Sequence, residues 1–105
     1  MTLSKKTEIL RYKIKLHKKV LSEDSKRFDE KTKEKIKKKC IELLSFHPEE
    51  VGEPLQFELK GYRKLKIFSD YRIVYRIVGQ EVRIYRIQQR KDVYAVSPQR
   101  LLWRP

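Results

Sequence analysis

Apolar and basic residues alternate through Tyr12-Lys13-Ile14-Lys15-Leu16, a period of two that predicts a half-buried strand. From Lys18 to about Ser45 the period lengthens to that of a helix. Val20, Leu21 and Phe28 mark a first short helix, and Ile36, Cys40, Leu43 and Leu44, at i, i+4, i+7 and i+8, mark a second. His47-Pro48 ends it, because the residue before a proline is driven out of the helical region. Gly52 and Pro54 punctuate a loop. Residues 55–59 read as a short strand closed by Gly61. Residues 63–68 and 71–78 alternate, and 82–87 are rich in β-branched and aromatic side chains. Ser69-Asp70 and Gly79-Gln80 supply the turns. The order β-α-α-β-β-β predicts an α+β domain, a curled antiparallel sheet packed against an N-terminal helix pair. Residues 1–10 form a flexible leader, 11–95 the single domain, and 96–105 a tail or short helix carrying Leu101, Leu102 and Trp103.

The pleat fixes which strand residues share a face. If Leu65, Ile67, Tyr71, Ile73, Tyr75 and Ile77 point to the core, Lys66 lies opposite Arg72 and Lys64 opposite Val74. A two-residue Gly79-Gln80 turn then sets Arg76 opposite Arg83, Val74 opposite Tyr85 and Arg72 opposite Ile87. The other face presents Lys64, Lys66, Arg72, Arg76 and Arg83, with Val74, Tyr85 and Ile87 among them. Like charges directly opposite each other destabilise a sheet. Between Arg63 and Arg76 the sole acid is Asp70, in a turn. Something outside the domain is expected to neutralise this face; the bland alternative is a solvated face, basic because the whole chain is.

Charge makes that alternative the weaker one. The chain has 105 residues, 27 Lys plus Arg and 14 Asp plus Glu, a formal net charge of +13. Such self-repulsion in one small domain points to a polyanion or an acidic partner. No apolar run approaches the ~20 residues of a spanning helix, and the N-terminus lacks the apolar core of a signal peptide. With a single cysteine, Cys40, that predicts a cytoplasmic protein and no membrane partner. No His/Cys group has zinc-ligand spacing, no carboxylate pair accompanies the basic face, and no phosphate loop or nucleophile elbow occurs. Neither metal nor cofactor is expected. An enzyme built this way works on an anion with Lys, Arg and Tyr. Cleavage of RNA suits it, because the 2′-hydroxyl is an internal nucleophile and the protein need only position, deprotonate and neutralise.

Four stretches then take on meaning together: Leu59-Lys-Gly61, Lys64-Leu-Lys66-Ile, Asp70-Tyr-Arg-Ile-Val-Tyr75 and Arg90-Lys-Asp-Val-Tyr94. Over roughly residues 11–95 the chain resembles the RelE/ParE superfamily of toxins, whose fold is microbial RNase-like. The resemblance implies a type II toxin held inactive by an acidic, RelB-like antitoxin. In the RelE branch it implies an mRNA interferase, which cuts mRNA in the ribosomal A site without metal. On that footing Lys64 and Lys66 are candidates for general base and phosphate binder, and Arg72 for transition-state charge. Arg90 is a phosphate binder or proton donor, and Tyr94 stacks on or orients a base. Arg76, Arg83 and Tyr85 extend the face as RNA contacts. By parity alone Arg90 does not share Arg72's face; that needs a bulge or bend after Ile87. Two other readings stay open: a ParE-like inhibitor of DNA gyrase without catalysis, and a degenerate member that binds RNA or antitoxin without toxicity. The Lys31–Lys39 tract is read as a solvated helix face that could touch ribosomal RNA.

Overall fold

The computed structural model describes residues 11–89 and 97–105. Strand β1 (Lys13–Leu16) keeps the expected alternation, with Lys13 and Lys15 exposed and Ile14 and Leu16 turned inward. Helix α1 (Glu30–Leu44) buries Ile36, Cys40 and Leu44. It starts at Asp29, whose side chain accepts a hydrogen bond from the Thr32 amide, satisfying one of the amides that a helix start leaves orphaned. A single-turn helix α2 (Pro48–Val51) follows, with Pro48 at its first position where no amide is needed. Then come β2 (Glu53–Pro54), β3 (Arg63–Ile67), β4 (Tyr71–Val78) and β5 (Glu81–Gln89).

The α+β class and the helix-on-sheet packing hold; three details differ from expectation. The first half of the helix pair is not a regular helix. Val20–Asp24 makes one wide π turn and Ser25–Arg27 a tight 3-10 turn, because Asp24 is turned inward to bond the sheet rather than along a helix surface. Residues 55–59 are not a strand: only Glu53–Pro54 pair with β3, and Phe57–Leu59 coil into a 3-10 turn. The sheet is also mixed. Its order is β1-β5-β4-β3-β2, with β1 parallel to β5 and the other pairs antiparallel. The helical layer therefore spans from one sheet edge to the other.

The main core lies between α1 and the sheet, centred on Leu44, Ile73, Tyr75, Val82 and Ile84. A second, smaller cluster covers part of the opposite face, where Tyr62, Val74 and Tyr85 pack with Leu55, Leu59, Leu101 and Trp103. The tail that brings Leu101 and Trp103 there is part helix and part extended, a 3-10 turn (Pro98–Leu101) followed by open chain. Two bonds tie it to the chain just after β1: the Lys18 amide donates to the Arg104 carbonyl, and His17 Nε2 lies 2.8 Å from the Leu102 carbonyl.

His17 is fully buried, and its Nδ1 accepts from the Lys19 amide at 3.0 Å. The imidazole is thus used as a neutral ring, with the hydrogen on Nε2. Burial pushes its pKa below the usual 6.5, and the nearby Arg100 and Lys19 charges add to that, against the Leu102 bond and Asp24. A histidine lowered in the folded state stabilises it fully above its unfolded pKa, and that contribution fades as pH falls from about 6.5 through the folded value. The denaturation midpoint should therefore drop between pH 7 and 5, with the tail released. Trp103, the sole tryptophan, sits 6.0 Å from the His17 ring and reports the release by fluorescence. His17→Asn should flatten this dependence; an unchanged slope places the titration elsewhere.

On the other side of β3, Arg63 Nη2 donates to the carbonyls of Glu49 at 2.8 Å and Gly52 at 2.7 Å. The Tyr75 hydroxyl donates to the Pro48 carbonyl at 2.5 Å. A Cβ on Gly52 would stand 2.7 Å from the Lys64 carbonyl oxygen and press on the Tyr75 hydroxyl. Gly52→Ala should therefore cost about 1–3 kcal/mol, the usual range for overpacking, read as a lower thermal midpoint. A midpoint equal to wild type would deny the close approach.

Candidate functional site

Strands β3 and β4 are joined by the turn 68–70, which sets Lys66 opposite Arg72, Leu65 opposite Ile73 and Lys64 opposite Val74, as the pleat required. The Arg76–Arg83 pairing is also as expected. Beyond it the register slips by one: Tyr75 pairs with Ile84 and Val74 with Arg86, leaving Tyr85 as a bulge residue. The slip moves Ile87 from the basic face to the core, opposite Ile73 and 9% exposed. Gln88, not Ile87, stands opposite Arg72. An irregularity thus lies before Ile87, and the one expected after it, for Arg90, falls outside the described residues. Its signal was present in the spacing of the apolar residues, Val82, Ile84, then Ile87, where a regular strand wants a step of two.

A bulge leaves backbone groups without ladder partners, and here a buried ion pair takes them. Asp24 Oδ2 accepts from the Ile87 amide at 2.9 Å, and Arg100 Nη1 donates to the Tyr85 carbonyl at 3.1 Å. The two side chains meet at 2.9 Å, each under a tenth exposed. Beyond the end of β1, then, the edge of β5 is closed by one side chain from the irregular helix and one from the tail. Sequence reasoning missed both residues.

The basic face divides into two parts. At one end the repulsion between Arg76 and Arg83 is answered internally. Arg76 lies over the Tyr62 ring at 5.2 Å, and Arg83 lies over Trp103 at 5.0 Å and bonds Glu81 at 2.9 Å. That bond to Glu81 holds the Arg83 pKa above its ordinary value. Tyr85 is 2% exposed, between Tyr62 and Trp103, and burial, then the neighbouring Tyr62, raises its pKa. It supports the arginines from beneath and has no open ring face for a base, which corrects its expected role as an RNA contact. Arg86 is half-buried near Asp24 and Arg100, and burial lowers its pKa.

The other end is open. Lys66 is exposed, Arg72 half-buried, and among the described residues no carboxylate forms an ion pair with either. Arg72 Nη1 reaches the Ser69 carbonyl at 3.2 Å, leaving most of its donors outward. Lys64, beside them on β3, has Glu53 at 3.7 Å. The structure thus brings Lys64, Lys66, Arg72 and Gln88 onto one strip across three strands. Arg90 and Tyr94 lie outside the described residues.

Away from the strip, His47, Glu49 and Glu50 place donor atoms within 4.8 Å of one another at the exposed start of α2, a local grouping that the sequence reading did not single out. Cys40 is buried, its thiol pushed up to about 12 by desolvation, and so inert. No helix among the described residues is long and apolar enough to cross a membrane.

Residues 10–94 match the family described as ParE toxin of type II toxin–antitoxin systems, parDE. The chain belongs to that family. It is a toxin of the RelE/ParE superfamily, and solved structures carry the same fold. The toxin–antitoxin complex RelBE2 from Mycobacterium tuberculosis contains a chain that superposes with a TM-score of 0.71 at 25% identity, over 78% of this chain and 94% of that one. The conserved hypothetical protein HP0894 from Helicobacter pylori gives 0.55 at 20% identity, over 74% and 93%. YafQ from E. coli strain BL21(DE3) gives 0.52 at 20% identity, over 81% and 100%. Among curated proteins, no sequence matches.

Proposed function

We propose that this toxin cleaves mRNA in the ribosomal A site by attack of the 2′-hydroxyl on the adjacent phosphorus. The observation that carries the reading is the Lys66–Arg72 pair, two cations set in register on an open strip where a sheet selected only for stability would place opposite charges. The 2′-oxygen bonds to phosphorus as the bond to the 5′-oxygen breaks. One proton leaves the 2′-hydroxyl and one is delivered to the departing oxygen. Lys64 and Lys66 serve as base and phosphate binder, and the Arg72 guanidinium grips two non-bridging oxygens, where charge develops. Arg90 is the proton donor or a further phosphate binder, and Tyr94 orients a base. Arg76 and Arg83 hold the flanking strand with the faces that their rings leave open.

Lysine and arginine are weak proton-transfer groups near neutral pH, so positioning by the ribosome supplies much of the rate. An acidic antitoxin, as the RelBE2 complex suggests, neutralises the +13 chain in its silent state. Toe-printing of mRNA on programmed ribosomes tests the reading: new, codon-positioned stops are expected on adding the toxin. The family match to ParE favours one other reading, a non-catalytic inhibitor of DNA gyrase. Loss of gyrase supercoiling with no new toe-print stops would establish that reading in place of the nuclease.

A further inference from the structure

We infer that the groove between α1 and the β3–β4 turn is a second nucleic-acid site, taking an unpaired RNA base on Phe68 and its flanking phosphates on Lys35 and Lys38. The inference rests on the proposed function only in choosing RNA as the polyanion. The groove holds about 620 Å³ and is walled by Thr32, Lys35, Ile36, Lys38, Lys39 and Glu42 on the helix and by Phe68 and Tyr71 on the sheet, the one acid, Glu42, being held by Lys39 at 3.6 Å. It opens on the helix side of the sheet, away from Lys66 and Arg72.

The helix wall is charged beyond what folding asks. Lys31, Lys35 and Lys38, at i, i+4 and i+7, line one stripe, and like charges at that spacing weaken a helix. Lys33 is answered by Glu30 at 3.0 Å and Lys39 by Glu42 at 3.6 Å. Among the described residues, Lys35 and Lys38 have no such ion pair and are exposed.

The sheet wall offers a ring in an unusual posture. Phe68 is 48% exposed and has a φ of 54°, a left-handed conformation that is an outlier for a bulky side chain. The Asp70 amide closes the turn on the Ile67 carbonyl at 3.3 Å, and two side chains brace it: Arg72 Nη1 bonds the Ser69 carbonyl at 3.2 Å, and Gln89 Nε2 bonds Asp70 Oδ2 at 2.7 Å. Tyr71 behind it is braced edge-on by Phe28 at 5.4 Å. A nucleotide supplies a flat ring and a phosphate within one repeat, which is what a ring set beside lysines recognises. Because Arg72 touches the turn from the strip side, an RNA strand gripped at Lys66 and Arg72 rounds the turn and reaches Phe68 without crossing the core.

The test is fluorescence anisotropy with a labelled single-stranded oligoribonucleotide across a salt series. Its two arms are Lys35→Gln/Lys38→Gln/Phe68→Ser for the groove and Lys64→Gln/Lys66→Gln for the strip. The groove variant should bind roughly tenfold or more weakly, as for loss of a base–aromatic stack. Its salt dependence should flatten by about 1.4 in log–log slope, two phosphates at ~0.7 each. Should that variant fail to fold, Lys35→Gln/Lys38→Gln alone, both exposed, must still show the flatter slope. Weakening in the groove arm but not the strip arm upholds this site and counts against the proposed catalytic strip. Wild-type affinity and slope in the groove arm overturn the inference, whatever the strip arm does. So does a groove variant that keeps RNA but, in the same assay with labelled polyglutamate as a second probe, loses that acidic peptide, which would make the groove a protein site.

Discussion

Arg72→Ala should lower mRNA cleavage on programmed ribosomes by roughly 10²–10³, the usual loss for one preorganised transition-state donor. The fold should survive. Arg72 is only half-buried, and its described bonds go to the carbonyls of its own turn, Ser69 at 3.2 Å and Tyr71 at 3.5 Å. Losing them loosens the turn, while removing the charge relieves the repulsion with Lys66 directly opposite, and the two effects offset. Arg72→Lys should rescue partly, since a point charge cannot reproduce the two-point grip of a guanidinium on phosphate. Thermal denaturation and cleavage are measured side by side. An Arg72→Ala protein that unfolds makes the arginine structural; one that folds and cuts at the wild-type rate removes the strip from the chemistry.

The largest effect on stability should come from a residue that takes no part in that chemistry. Asp24→Ala strips the Ile87 amide of its acceptor and leaves Arg100 buried, with Glu23 at 3.1 Å the one other acid paired with it among the described residues. Removing one member of a buried pair costs about 3–5 kcal/mol, and at about 4–8 °C per kcal/mol for a domain near this size the thermal midpoint should fall by at least ~12 °C. The control is Glu23→Ala. Glu23 bonds the same guanidinium but is half exposed, so its loss leaves no buried amide without an acceptor and should cost clearly less. If the two variants melt together, burial is not what gives the Asp24–Arg100 contact its weight. Trp103 fluorescence should report the Asp24→Ala change early, because Arg100 is three residues away on the tail that seats the indole against Arg83 and Tyr85.

The same contrast separates what the sequence by itself determined from what needed the tertiary structure. Strand alternation, the i, i+4, i+7 spacing of α1, the turn positions, and the pairings of Lys66 with Arg72 and Arg76 with Arg83 were all legible. Each follows from the fixed periods of helix and strand, which are properties of the local chain. The strip of Lys64, Lys66 and Arg72 was legible for the same reason, since parity alone places residues on a face. Gln88 was not, because one bulge at Tyr85 reverses parity for the described strand residues beyond it, and the missed step in apolar spacing was its sole trace. Two further expectations failed where local preference meets distant partners. The segment 18–27 has helical periodicity but coils irregularly so that Asp24 can reach the β5 amide. Tyr85 has the look of an exposed aromatic but is covered by Tyr62 and Trp103, the latter arriving from the far end of the chain. Burial of this kind, and the pairing of Asp24 with Arg100 across 76 residues, depend on contacts between segments whose separation no local period encodes. Tertiary packing alone decided them.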